Sequence, residues 1–167
     1  MKQTPQNKAI EERMKPGRIT MHGFLGRDTR HVGDILAADD ATVKRLGYSH
    51  AAIAKRMEYF RSLGMAGLGD FIPVAPCFQV QVTTVRGKLP CPFGHPGLYG
   101  KTNITVQNDE LGESITYTKL NIHFIQAHGF YEGKGAAFRL EPKDLVRILL
   151  VDKEEDIEKT IMEGIDG

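Results

Sequence analysis

The chain has 167 residues, 41% of them hydrophobic and 26% charged, with a net charge of +1, a balance that excludes a disordered polymer and gives no overall attraction to polyanions. No apolar run is long enough to cross a bilayer, and residues 1–17 lack the apolar core of a signal peptide, so a cytoplasmic protein with no membrane partner is expected. Two cysteines, Cys77 and Cys91, are too few for a disulfide framework.

A chain of this length buries roughly two-thirds of its unfolded surface and fits one compact domain. Charge is uneven along it. Residues 1–64 hold 12 Lys/Arg against 7 Asp/Glu, and residues 65–167 hold 10 against 14. The plain reading is two solvated faces; the sharper one is a basic front half that meets an acidic partner or nucleic acid.

Residues 1–18 are polar, contain two prolines and read as a loose arm. The region 19–70 reads as helical. Asp28 or Thr29 can cap a short helix carrying Val32, Ile35 and Leu36, weakened by Gly33. The Asp39–Asp40 pair can cap a second, with Val43 and Leu46, stopped by Gly47. Ser49 can cap a third, whose stripe Ile53, Met57, Phe60 follows i, i+4, i+7 spacing, with Gly64 just beyond. "DATVKRLGYSHAAIAKRMEYF" therefore resembles a helix-turn-helix in outline, with Lys44, Arg45, Lys55 and Arg56 as candidate phosphate contacts. It departs from that pattern at Arg56, where an apolar residue is expected. The alternative is a helical subdomain whose apolar face packs on a sheet.

"GMAGLGDFIPVAP" reads as a connector, and the region 71–151 then changes period. "FQVQVTTV", "TNITVQ" and "SITYT" alternate as strands, with "NDELGE" as a turn between the last two. Residues 119–128 satisfy both an alternating and a helical pattern. Thr118 is a good cap and Gly129 a good stop, so the spacing predicts a helix. "AAFRL" predicts a further strand, and "EPKDLVRILLV" a helix opened by Pro142. Residues 152–167 read as an acidic tail helix with a narrow stripe of Ile157, Ile161 and Ile165. The expected fold is α+β: a helical N-terminal region, then a mainly antiparallel sheet of about four strands with helices packed on one side.

The loop "LPCPFGHPGLYGKTNITV" carries the chemistry. Its GKT triplet is not a phosphate loop. His95 stands where the first glycine belongs, and a strand rather than a helix follows, so no nucleotide cofactor is expected. Cys91 and His95 form C-x3-H in this loop, and His123 and His128 form H-x4-H on the expected helix. A loop pair joined to a helical histidine pair suggests a zinc site, although the 27 residues between the pairs exceed a short zinc finger. Histidines five apart on an ideal helix diverge by about 140°, so sharing a metal requires a loosened last turn. The alternatives are a hydrogen-bonded core histidine at His123 and a helix-dipole partner at His128.

These features predict a small cytoplasmic binding or regulatory module, with a nucleic-acid or protein partner and a structural zinc. The rival expectation is a small hydrolase-like enzyme in which Cys91 and the histidines form a nucleophilic site.

Overall fold

The computed structural model describes residues 3–166, with side chains through residue 164. Its architecture is α+β. The helices α1 (Pro5–Met14), α2 (Val32–Leu46) and α3 (His50–Gly64) precede the strands β1 (Ile72–Val74), β2 (Phe78–Pro90), β3 (Leu98–Asn108) and β4 (Glu113–Thr118). Then come α4 (Lys119–His123), a π-helical turn (Phe124–His128), α5 (Pro142–Ile148) and α6 (Glu154–Asp166). Among the described residues no helix is long and apolar enough to cross a membrane.

The sheet is an antiparallel meander in the order β1-β2-β3-β4. Its register sets Val80 opposite Val106, Val82 opposite Ile104, and Ile104 opposite Tyr117. Period-two alternation thus puts the expected apolar positions on one face. They form a core with Ile53, Met57 and Phe60 of α3, and Ile115 packs at its margin. Ser49 caps α3 by accepting from Ala52 N–H at 3.1 Å. Tyr117 Oη donates to the Met57 carbonyl at 2.8 Å, tying sheet to helix inside the core. Gly64 permits the close approach of α3 to β2, since a Cβ there would lie 2.5 Å from Val82 Cγ2.

A second core contains Ile10 and Met14 of α1, Phe24, Val32 and Ile35 of α2, and Cys91, Leu120, Phe124 and Phe130. Over Pro5–Met14 it replaces the expected loose arm with a docked helix, and residues 1–2 lie outside the described residues. Thr4 accepts from Asn7 N–H at 3.1 Å and Pro5 opens α1, where a missing N–H is harmless. Ile10 and Met14, four apart, then fall on one buried face.

Three further expectations change. The two short helices before Gly47 are one continuous helix, α2, because Gly33 sits in its first turn and the two aspartates find partners from mid-helix. Asp39 pairs with Arg139 at 2.6 Å and Asp40 with Lys44 at 2.8 Å. "AAFRL" is not a strand; Arg139 turns inward to Asp39, and the remaining strand is β1, inside the supposed connector. In α6, Ile161 is exposed and Ile157 half-buried, and the Ile165 side chain lies outside the described residues.

Candidate metal centre

Two structural devices build the site. The first is the β2–β3 loop. Leu89 pairs with Tyr99 and Pro90 with Leu98, so residues 91–97 close as a tight connection. Gly94 N–H donates to the Cys91 carbonyl at 3.2 Å, with Gly94 at φ 90°. Glycine adopts that conformation without steric cost. Arg13 of α1 donates from Nε to the Pro92 carbonyl at 2.6 Å, and Phe93 packs against the second core. The loop is thereby held, with Cys91 buried and His95 half-buried.

The second device is the end of α4. Thr118 and Asn121 form a reciprocal capping box, so the helix starts directly from β4. After His123 the backbone widens into the π turn and ends at Gly129, φ 61°. A π turn closes i→i+5 rather than i→i+4. It therefore brings residues five apart, His123 and His128, onto one face, where an α-helix would separate them. The expected helix over 119–128 is present, and its last turn is loosened as shared ligation requires.

The loop and the π turn meet. One donor atom each from Cys91, His95, His123 and His128 lies within 4.8 Å of the other three, and this is the only such grouping among the described residues. His95 Nε2 stands 2.8 Å from His123 Nε2 and 2.9 Å from His128 Nε2. Cys91 Sγ stands 3.5 Å from His128 Nε2. Around a tetrahedral ion with Zn–N near 2.0–2.1 Å and Zn–S near 2.3 Å, such separations are about 3.3 Å for N···N and about 3.6 Å for S···N. The four residues can hold a metal ion after side-chain adjustments of about 1 Å or less.

Proton accounting points the same way. His95 Nδ1 faces the Pro96 carbonyl at 3.2 Å, and as donor there it leaves the Nε2 lone pair facing the cluster. Both neighbouring Nε2 atoms then converge on that one acceptor. Burial, with His95 nearby, lowers the His123 pKa. Burial, with His123 and His95 nearby, lowers that of His128 to about 4. Burial raises the Cys91 thiol, opposed by the Phe93 N–H and the Arg13 charge. Without a cation the cluster crowds three histidine rings beside a protonated thiol. A bound cation reverses that preference, since it draws on the lone pairs and stabilises the thiolate.

Aromatic rings fix the ligand planes. Phe93 stacks on His128 at 3.9 Å between centroids, 9° from parallel, and Tyr99 stacks on His123 at 4.3 Å. Cys77 lies elsewhere, with Sγ 3.6 Å from Asn108 Oδ1.

The four basic residues of the helix pair lie on α2 and α3, joined by Gly47–Ser49. Arg45 and Lys55 are exposed, and Lys44 is paired with Asp40. Arg56 points inward: Nε donates to the Leu149 carbonyl at 2.8 Å, and its guanidinium lies 4.7 Å over Phe60.

Sequence reading missed two polar groups, the half-buried His50 relay and the buried Glu132. His50 Nε2 contacts Asp40 Oδ1 at 3.0 Å and His50 Nδ1 contacts Tyr131 Oη at 2.8 Å, forming a relay on the other side of the π turn. Glu132 is buried, with Oε2 accepting from Asn121 Nδ2 at 2.6 Å. Neither has a local signal, because the partners come from separate segments. No protein-family model, no curated protein and no solved structure matches the chain.

Proposed function

We propose that the chain is a small, non-enzymatic binding module stabilised by one structural Zn²⁺ on Cys91, His95, His123 and His128. The convergence of four ligand atoms from two separate segments carries this reading. One thiolate and three imidazoles suit zinc's borderline softness, and four protein donors fill a tetrahedral shell with no position left for water. The metal cross-links the β2–β3 loop to the π turn over the second core. A nucleophilic role for Cys91 fits less well, because the residue is 3% exposed and burial keeps its thiol protonated.

Native mass spectrometry of protein purified without chelator should show one zinc per chain, and Cys91→Ser should lose it. Cobalt substitution should give the intense visible absorption of a tetrahedral, thiolate-bound ion. Protein that carries no metal, and whose melting temperature does not respond to added zinc, would refute the proposal.

A further inference from the structure

A cavity of about 270 Å³ lies between the β2–β3 ribbon, the segment around Phe24 and the turn around Phe138. Val85, Leu89, Phe24, Leu120 and Phe138 supply an apolar lining. Glu132 also lines it and is itself only 4% exposed. One carboxylate oxygen, Oε2, accepts from Asn121; among the described residues Oε1 takes no hydrogen bond.

The backbone at this carboxyl is unusual and well held. Glu132 adopts φ 67°, a left-handed conformation uncommon for a residue with a Cβ and concentrated at functional positions. It is held there from both sides. Arg139 Nη1 donates to its carbonyl at 2.9 Å, and the next residue, Gly133, donates to the Phe24 carbonyl at 2.9 Å. Gly133 cannot be replaced without moving the wall, since a Cβ would lie 2.2 Å from the Leu25 carbonyl oxygen.

The nearby basic side chains are engaged elsewhere or lie at the surface. Arg139 forms bonds of 2.6 and 2.9 Å to Asp39 and a further pair with Glu141. Lys101 and His22 line the cavity as exposed residues, and the Lys101 stem runs beside Gly87. The Arg139 charge opposes the effect of burial on Glu132 but makes no bond to its carboxyl, which keeps one acceptor without a hydrogen bond among the described residues, in an apolar cavity.

We propose that this cavity binds a small organic amine, its cationic nitrogen on Glu132 Oε1 and its apolar body between Leu89, Leu120 and Phe138. Burial raises the Glu132 pKa to about 7, so the empty cavity favours the neutral acid, whereas a bound ammonium favours the carboxylate. A charge-assisted hydrogen bond then fixes the polar end, and the lining selects the size of the rest.

Benzylammonium and its neutral counterpart benzyl alcohol test this in the full-length, zinc-supplemented protein at about pH 8, where the carboxyl of an empty site is mostly ionised. Backbone amide shifts should saturate around Phe24, Leu120 and Phe138, with the amine binding at least about tenfold tighter than the alcohol. Glu132→Gln should abolish that preference. Val85→Trp, at an exposed rim position, should weaken both probes without touching the carboxyl. Equal affinity for the two probes, no saturable amine binding at millimolar concentration, or retained preference in Glu132→Gln would each overturn the proposal.

Discussion

The Cys91 cluster and the His50 relay both lie against the π turn, and they differ in whether their protons and lone pairs match. In the relay, Asp40 accepts from His50 Nε2–H and His50 Nδ1 accepts from Tyr131 O–H, so every contact has one donor and one acceptor. The Tyr131 phenol stays protonated because burial pushes its pKa up. In the Cys91 cluster, two Nε2 atoms converge on His95 Nε2 within 2.9 Å, and no assignment of neutral tautomers satisfies them all. A balanced network is complete as it stands and serves the fold. An unbalanced one, flanked by a π turn and aromatic stacking, could hold a cation. Burial alone does not separate the two, since both are partly covered.

The comparison predicts unequal responses. Metal removal should have the largest effect. A chelator should lower the melting temperature by roughly 10 °C or more, because a site saturated about a thousandfold above its Kd contributes about 4 kcal/mol. Cys91→Ser should do likewise, and both changes should loosen residues 91–97 in hydrogen exchange. Intact loop protection after chelation would put the two clusters in the same structural class.

Glu132 is a buried group with an unfilled acceptor among the described residues and should respond to pH. Its folded pKa, about 7, lies above the ordinary carboxyl value of 4.5. The stability it contributes is therefore present below pH 4.5 and lost as pH rises through about 7. Glu132→Gln removes that dependence, and above neutrality it should be the more stable protein by up to about 3 kcal/mol. Parallel urea melts at acidic and alkaline pH check this, and unchanged pH dependence in the variant would contradict it.

Tyr131→Phe should have a smaller effect. Losing one hydroxyl and leaving His50 Nδ1 unpaired should cost about 1–3 kcal/mol in denaturant unfolding, with zinc stoichiometry unchanged. Loss of zinc in this variant would mean that the two clusters are one network. Finally, zinc binding at about pH 8 should release about one proton, chiefly from the Cys91 thiol, because His123 and His128 are already neutral. Calorimetry in buffers of different ionisation enthalpy measures that number.

Local chemistry made part of this legible in sequence. Ser49, Thr118 and Gly129 mark helix ends by their own side chains or lack of one, and the alternation of Val80, Val82, Ile104 and Val106 marks a one-sided sheet. The ligand types at Cys91, His95, His123 and His128 stand out by spacing, but their convergence is a property of the fold. The π turn has no sequence signature; Phe124 at its start and Phe130 just beyond its end pack together in the second core. Pro5 misled because it opens a helix as readily as it breaks one. The segment "AAFRL" misled because strand preference in so short a stretch is weak, and its Arg139 pairs with Asp39 across the fold. The relay was invisible because His50 and Tyr131 are 81 residues apart.

X-ray absorption at the zinc edge tests the central claim most directly, since it counts the atoms bound to the metal. Zinc-loaded protein should show one sulfur at about 2.3 Å and three nitrogens at about 2.0–2.1 Å, with imidazole scattering and no further oxygen shell. Cys91→Ser should lose the sulfur alone or the metal altogether. A shell of light atoms without sulfur in the unaltered protein, or one completed by water oxygens, would contradict a closed site on Cys91, His95, His123 and His128.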